Sequence, residues 1–397
     1  MTSLGVYIQI PFCASKCAFC NFSSKVAPVG ALQTYLGSLE REFDLLDRLS
    51  DRGAGREGRV AGGFLGLPAD SIYLGGGTPT LAGRDGLARV FARLRRRFAL
   101  ANALEVTLEM TPASADTPLL AACRALGINR LSIGAQSFDD RELRSVGRLH
   151  SGAETEEQVR RARKEGFGNI SLDLIAGLPY QTEASWLGSL QRTLDLAPEH
   201  VSVYLFEIDE KSRLGHEVLR HGERYHALEV PGEDFLADAY GQAQDSLAGA
   251  GYLQYEISNF ARPGFESRHN RKYWRLEPYL GLGAGAHSFD GQSRWANETS
   301  TAEYAARLAL GELPIAEWRP VREAEQVEEF FFLGLRQRDG VDLGGLTSRW
   351  GRAAVERWRP RIRSLVRDGW LEERGERLYL APRAYLVSNE VFQEFLA

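Results

Sequence analysis

Between residues 4 and 208 the chain alternates short apolar runs with amphipathic stretches, and this rhythm constrains the fold more than any other feature. The runs Leu4–Ile10, Ser71–Leu74, Leu104–Leu108, Arg130–Gly134, Asn169–Leu174 and His200–Ile208 read as strands. Between them Ala31–Leu49, Arg84–Arg97, Pro118–Leu126, Ala153–Glu165 and Glu183–Leu196 read as helices. Several strands are apolar at consecutive positions, as at Val201 and Val203–Phe206, which is the pattern of strands buried on both faces of a parallel sheet. A β-α alternation of this length predicts a parallel α/β fold with right-handed crossovers. Ser50–Gly66, rich in Gly and Arg, reads as a surface loop.

After residue 300 helical text dominates: Glu323–Gln337, Leu343–Trp350 and Ala354–Asp368, then a hairpin over Leu371–Leu380. That order is the order of a winged-helix unit. Such units often bind DNA, but the helices carry no exceptional basic surplus, and a small packing domain is the simpler reading. With 397 residues and a formal charge of −5, the chain shows no preference for phosphate backbones, so no nucleic-acid partner is expected. The longest apolar runs, such as Ile170–Leu178, fall far short of the ~20 residues that span a bilayer. Met1–Ile10 lacks the basic start and long apolar stretch of a signal peptide, so a cytoplasmic location is expected.

In α/β barrels and open α/β sheets, chemistry sits beyond the C-terminal ends of the strands. The unusual residues of this chain gather at those positions. Three cysteines follow the first strand and Gly75-Gly76-Gly77-Thr78-Pro79 follows the second. Glu109 ends the third, Gln136 follows the fourth, Asp173 lies on the fifth and Glu207 ends the sixth. Six strands delivering six such groups to one rim predict a ligand site there.

Cys13, Cys17 and Cys20 form C-x3-C-x2-C, while Cys123 stands alone among Ala and Leu and reads as a small buried hydrophobe. A disulfide framework is out of place in a chain of this size and setting. Soft thiolates select zinc, copper(I) or iron–sulfur. Structural zinc takes four protein ligands, and no fourth Cys or His lies close by. A four-iron cluster also normally takes four Cys. Three on one loop would leave one iron open to a small-molecule donor, and that reading is preferred over zinc or packed thiols. Gly75–Pro79 is no nucleotide P-loop, because no Gly-Lys-Ser/Thr follows. Its glycines do allow close backbone approach and free N–H groups for a polar ligand. Gly281-Leu-Gly-Ala-Gly-Ala286 mimics a dinucleotide fingerprint but lies outside an early βαβ unit and lacks the matching acid.

These motifs together resemble the radical S-adenosylmethionine (SAM) superfamily. The resemblance is carried by Tyr7-Ile-Gln-Ile-Pro-Phe-Cys13, the cysteine loop, Leu74–Pro79, Ser132-Ile-Gly-Ala-Gln-Ser-Phe138 and Asp173-Leu-Ile-Ala-Gly-Leu-Pro179. Gly251–Ser258, His269-Asn-Arg-Lys-Tyr-Trp274 and Tyr279–His287 extend it and narrow it. They resemble the branch that contains oxygen-independent coproporphyrinogen III oxidase and the heme chaperones of the HemW type. The resemblance implies a partial (β/α)6-type barrel over residues 1–230, an α+β linking region over 231–315, and a winged-helix-like domain over 316–397. It implies that Cys13, Cys17 and Cys20 hold a [4Fe-4S] cluster whose open iron takes the amino and carboxylate groups of SAM. Reduction by an electron donor would then cleave SAM to a 5′-deoxyadenosyl radical. The family's SAM contacts fall on Tyr7 and Phe19, on Gly76, Gly77 and Thr78, and on Glu109, Gln136, Arg148 and Asp173. No catalytic residue is assigned.

Two departures favour the chaperone side of the branch. The oxidases carry a further Cys two residues after the triad, where this chain has Asn21-Phe22. They also carry a long extension ahead of the cluster loop, which here begins at residue 13. A third departure is Glu109-Met-Thr-Pro112, where many relatives have Asn before the Pro. The resemblance therefore implies heme as cargo, with a heme-accepting protein as partner and peripheral membrane contact through that partner. His269 is the leading heme-ligand candidate, with Tyr273 and Trp274 to pack a macrocycle, and His287 is second. A hydrogen-bonded structural His remains an open alternative for His269. The alternative functions are radical decarboxylation of coproporphyrinogen III, another radical SAM reaction, or a cluster-bearing regulator acting on DNA.

Overall fold

The computed structural model describes residues 3–26, 28, 30–49, 60, 62–64 and 66–396. Six parallel strands, β1 (Leu4–Ile10), β2 (Ala69–Gly76), β3 (Leu100–Met110), β4 (Arg130–Gln136), β5 (Ile170–Ala176) and β6 (His200–Leu205), lie side by side in chain order. Every strand and helix expected in this half is present, within a few residues at each end. Two short antiparallel strands, β7 (Leu253–Gln254) and β8 (Asn259–Ala261), continue the sheet beyond β6. On the other side β9 (Tyr279–Leu282) pairs in parallel with β1. β10 (His287–Phe289), β11 (Ser293–Asn297) and β12 (Ile315–Pro320) follow it antiparallel. Among the described residues these twelve strands form one sheet whose two edges do not pair with each other.

The strands are buried on both faces as expected, but the two faces differ in chemistry. Side chains alternate across a strand. One row, including Val6, Ile8, Ile72, Leu74, Val106, Leu108, Leu131, Ile133, Leu172, Leu174, Val201 and Val203, belongs to the main apolar core that the helices cover. The other row is polar: Tyr73, Glu109, Arg130, Ser132, Asp173, His200 and Ser202 all line one internal cavity. The alternation, not the continuous apolar run, is the informative pattern here.

Helix starts follow local chemistry. Asp116 accepts from the Leu119 N–H, and Ser151 and Thr182 form capping boxes with Glu154 and Ser185. The edge of the sheet beyond β1 is tied down by one buried carboxylate on the helix Ala31–Leu49. Glu42 accepts from the Tyr304 hydroxyl at 2.6 Å, the Gly283 N–H at 2.8 Å and the Asn297 side-chain amide at 2.7 Å. Burial pushes its carboxyl up to about 7.

The C-terminal part has its own core, in which the Phe331 and Phe395 rings stack at 4.6 Å among Leu346, Trp358 and Ile362. Its three-stranded sheet pairs β13 (Val341–Asp342) with β15 (Arg377–Leu380), and β15 with β14 (Leu371–Arg374). The single helix expected over Ala354–Asp368 is instead two, Arg352–Glu356 and Arg359–Arg367. Pro360 has no N–H to offer the preceding turn and sits in the first turn of a new helix. Most of the loop expected at Ser50–Gly66 lies outside the described residues, although Val60 and Phe64 are buried in the main core. No described helix is long and apolar enough to cross a membrane. Cys123 is buried as expected.

Glu42→Ala would leave two buried donors, the Tyr304 hydroxyl and the Gly283 N–H, without an acceptor at about 1–3 kcal/mol each, while the Asn297 amide keeps the Gly283 carbonyl at 3.0 Å. Urea unfolding is expected to show a loss of at least ~2 kcal/mol relative to the parent.

Candidate ligand cavity at the C-terminal ends of the strands

A cavity of about 460 Å³ opens at the C-terminal ends of β1–β6 and runs inward between them. Cys13, Cys17 and Cys20 line it, together with Phe19, Gly76, Gly77, Thr78, Glu109, Gln136, Arg148 and Asp173. The structure therefore brings eleven of the twelve residues expected for cluster and SAM to one place. Tyr7 is the exception. It lies under the cavity wall, stacked on Tyr73 at 6.0 Å between centroids, and donates from its hydroxyl to Gln9 at 2.7 Å. It belongs to the inner row of β1 at the same register level as Tyr73, whose ring stands between it and the cavity.

The cysteine loop is held by its backbone. The Ala18 N–H donates to the Val146 carbonyl and the Ala18 carbonyl accepts from the Leu214 N–H, both at 2.9 Å. Lys16 folds the loop back by donating from Nζ to the carbonyls of Phe22 and Ser24. All three thiols are unbridged, and Arg148 donates from Nη1 to Cys17 Sγ at 3.5 Å. Burial pushes the Cys13 thiol up. Thr78 donates its backbone N–H to the Phe12 carbonyl at 2.7 Å, joining the glycine loop to the cysteine loop. A methyl group at Gly77 would lie 2.4 Å from that carbonyl oxygen, so only glycine permits the approach. Gly76 has φ +103° and turns its N–H to Glu109 Oε2 at 3.0 Å.

The two cavity carboxylates are buried and tethered. Glu109 accepts from the Tyr73 hydroxyl at 2.8 Å as well as from Gly76, and burial pushes it up to about 7. Asp173 faces the hydroxyls of Ser132 and Ser171 at 3.3–3.4 Å and is also raised by burial. Gln136 occupies the left-handed region at φ +68°, where the pairing of β4 with β5 slips. A bulge of this kind re-aims a side chain at the end of a strand. Arg148 donates from Nη2 to the Gly134 carbonyl. Together these groups can grip a zwitterion at the cysteine loop through two carboxylates and one guanidinium. The N–H groups expected to be free in the glycine loop are instead taken, Gly76 by Glu109, Gly77 by the Ile10 carbonyl and Thr78 by the Phe12 carbonyl.

His269 is not an open metal ligand. It is 1% exposed, and its Nδ1 meets Ser71 Oγ at 3.0 Å while its Nε2 meets the Tyr273 hydroxyl at 2.8 Å. Burial holds it neutral, down to about 3. Its helix, Arg268–Trp274, packs beneath the starting ends of the strands, opposite the cysteines. There the Arg268 and His269 N–H groups donate to Glu105, and Lys272 pairs with Asp70 at 2.9 Å. Tyr273 is packed edge-on against Tyr279, and Trp274 is half-buried under the Arg336 guanidinium. The histidine is thus seated in a floor plug with both ring nitrogens hydrogen-bonded. His287 is exposed on β10 and does not line the cavity. Sequence reasoning missed Tyr73, Arg130, Ser132, His200, Ser202, Tyr204 and Asn270 as lining residues. All but Asn270 sit at alternate strand positions, and that alternation was the available signal.

Residues 7–192 match the radical SAM superfamily and residues 321–387 match the HemN C-terminal domain. The heme chaperone HemW of Bacillus subtilis (strain 168) is 32% identical over 393 residues, covering 99% of each chain. HemW of Mycobacterium tuberculosis (strain ATCC 25618 / H37Rv) is 33% identical over 396 residues, covering 99% of this chain and 94% of its own. Coproporphyrinogen III oxidase (HemN) from Escherichia coli, a radical SAM enzyme, superposes with a TM-score of 0.84. The match covers 99% of this chain and 90% of that one. At 22% identity that likeness shows the fold alone. Matched at above 30% identity along its whole length, this chain belongs to the radical SAM superfamily and, within it, to the HemW family.

Proposed function

We propose that this protein is a heme chaperone that holds a [4Fe-4S] cluster and SAM in the cavity and passes heme to an acceptor protein. The observation that carries the reading is the convergence of three free thiols, a glycine cradle and two tethered carboxylates on one cavity. The relatives matched along the full length are named heme chaperones. The reading expects a cytoplasmic protein, served by an electron donor for the cluster.

The donor set suits the group. Three thiols of intermediate exposure lie on one backbone-clamped loop, and a guanidinium stands beside Cys17. Cys13, Cys17 and Cys20 would hold the cluster, which when bound supplies one iron open to an amino acid's donors and an electron for cleaving SAM. Phe19, which lines the cavity, would pack near the sulfonium, and the main chain of Gly76, Gly77 and Thr78 would line the methionine end. Arg148 would hold a carboxylate as a planar fork. Glu109 and Asp173 would accept from an ammonium or from ribose hydroxyls. Heme would not be ligated by His269 in this arrangement, because both ring nitrogens are committed to the floor plug.

Three measurements test the reading. Cys17→Ser is expected to lose most of the iron–sulfur absorbance after anaerobic reconstitution, and full retention would remove the loop as cluster ligand. Glu109 gains its charge as pH rises through about 7, so it is mostly neutral at pH 6 and mostly ionised at pH 8. The affinity for SAM is expected to rise roughly tenfold over that range, following the ionised fraction, and Glu109→Gln to flatten the profile. Hemin titration followed at the Soret band is expected to saturate at one heme per chain, with His269→Ala lowering thermal stability more than affinity. An intact cluster and SAM site without heme binding would instead indicate a radical enzyme, with coproporphyrinogen III the first substrate to try.

A further inference from the structure

The inner end of the cavity holds a group that nothing described so far uses. Arg130, the first residue of β4, lines the cavity and is 2% exposed. Its Nε has no hydrogen-bond partner, and among the described residues its guanidinium makes no hydrogen bond or ion pair. A guanidinium does not shed its proton in a protein, and a buried charge without a partner is strongly disfavoured. The nearby acids Glu109 and Asp173 feel its charge through space, but neither forms a hydrogen bond or ion pair with it. Glu109 is held by Tyr73 and Gly76, and Asp173 by serine hydroxyls. His200 is neutral, with Nδ1 at Ser171 Oγ and Nε2 at the Tyr255 hydroxyl. The remaining neighbours that line the cavity, Ser132, Ser202, Tyr204 and Asn270, are neutral hydrogen-bonding groups.

The position separates Arg130 from the cysteine-loop chemistry. Arg148 is anchored at the carbonyl of Gly134, four residues further along the same strand. At about 3.3 Å per residue the two anchor points lie roughly 13 Å apart. An α-carboxylate held by Arg148 is thus anchored near the opposite end of β4 from the residue that carries the Arg130 side chain.

We propose that Arg130, with Asn270 lining the same cavity, is a receptor for a second carboxylate, an alkyl carboxylate arm of a ligand that occupies the inner cavity. The assignment gives the His269-Asn270 pair a division of labour: His269 fixes the floor helix, and Asn270 faces the ligand. Identifying the arm as a porphyrin propionate rests on the heme reading, whereas the carboxylate receptor itself does not.

Two experiments on the full-length reconstituted protein separate these. In the first, propionate at tens of millimolar is compared with chloride at equal ionic strength by thermal unfolding. Propionate is expected to raise Tm by a few degrees in the parent and not in Arg130→Gln. In the second, hemin and hemin dimethyl ester are titrated in parallel. The parent is expected to favour hemin by about tenfold or more, Arg130→Gln to lose that preference, and Arg130→Lys to keep part of it. Far-UV circular dichroism and iron–sulfur absorbance check the variant's fold. If Arg130→Gln does not fold, Asn270→Leu takes its place and is expected to reduce both effects. Equal protection by propionate and chloride in the parent, or an unchanged hemin preference in a folded Arg130→Gln protein, overturns the receptor. Propionate protection without hemin binding upholds the receptor and removes heme as its source.

Discussion

The structure depends on keeping a row of polar and charged groups dry in the middle of a parallel sheet. Removing such groups from water is unfavourable unless each finds a partner, and the inner faces of β2–β6 are organised around that need. Serine hydroxyls face Asp173, a tyrosine and a backbone amide face Glu109, and a serine and a tyrosine face both His200 and His269. The helices outside are conventional amphipathic packing. What distinguishes this sheet from an inert one is that its inner face is chemically committed and its sequence has to alternate to achieve it.

That alternation explains how much of the molecule could be read in advance. The six strands and five helices of the first half follow from length and apolar content, and the rim residues follow from the rule that ligands gather at strand ends. Motif resemblance then placed Cys13, Cys17, Cys20, Phe19 and the carboxylates, which the cavity contains. The deeper lining was not legible, because Ser132 or His200 inside an apolar strand looks like tolerated polarity until the neighbouring strand supplies its partner. His269 shows the converse. A histidine followed by aromatics has the composition of a heme site, and only tertiary contacts reveal that Ser71, nearly two hundred residues away, and Tyr273 take both its nitrogens. Pro360 was a local signal that a long helical pattern concealed.

The C-terminal part joins the sheet through charge as well as apolar contact. Glu256, fully buried, pairs with Arg336 at 2.7 Å and bridges backbone to Gln337. Arg336 also lies over the Trp274 ring of the floor helix. One guanidinium thus touches the end of the helix Glu323–Arg336, the turn before β8 and the plug beneath the cavity. A buried pair of this kind adds specificity of docking more than net stability.

The clamped cysteine loop has a consequence for the life cycle of the protein. In many small metal sites the chain folds only when metal arrives, so that loss of metal is loss of structure. Here Ala18 is stitched on one side to Val146 and on the other to Leu214, and the adjoining glycine loop is pinned to Phe12, all through main-chain groups that owe nothing to iron. The ordering entropy of the ligand loop is met by the polypeptide in advance. On the proposed function, a cluster lost to oxygen would leave a loop still held by its main chain, and repair would be a matter of reloading rather than refolding.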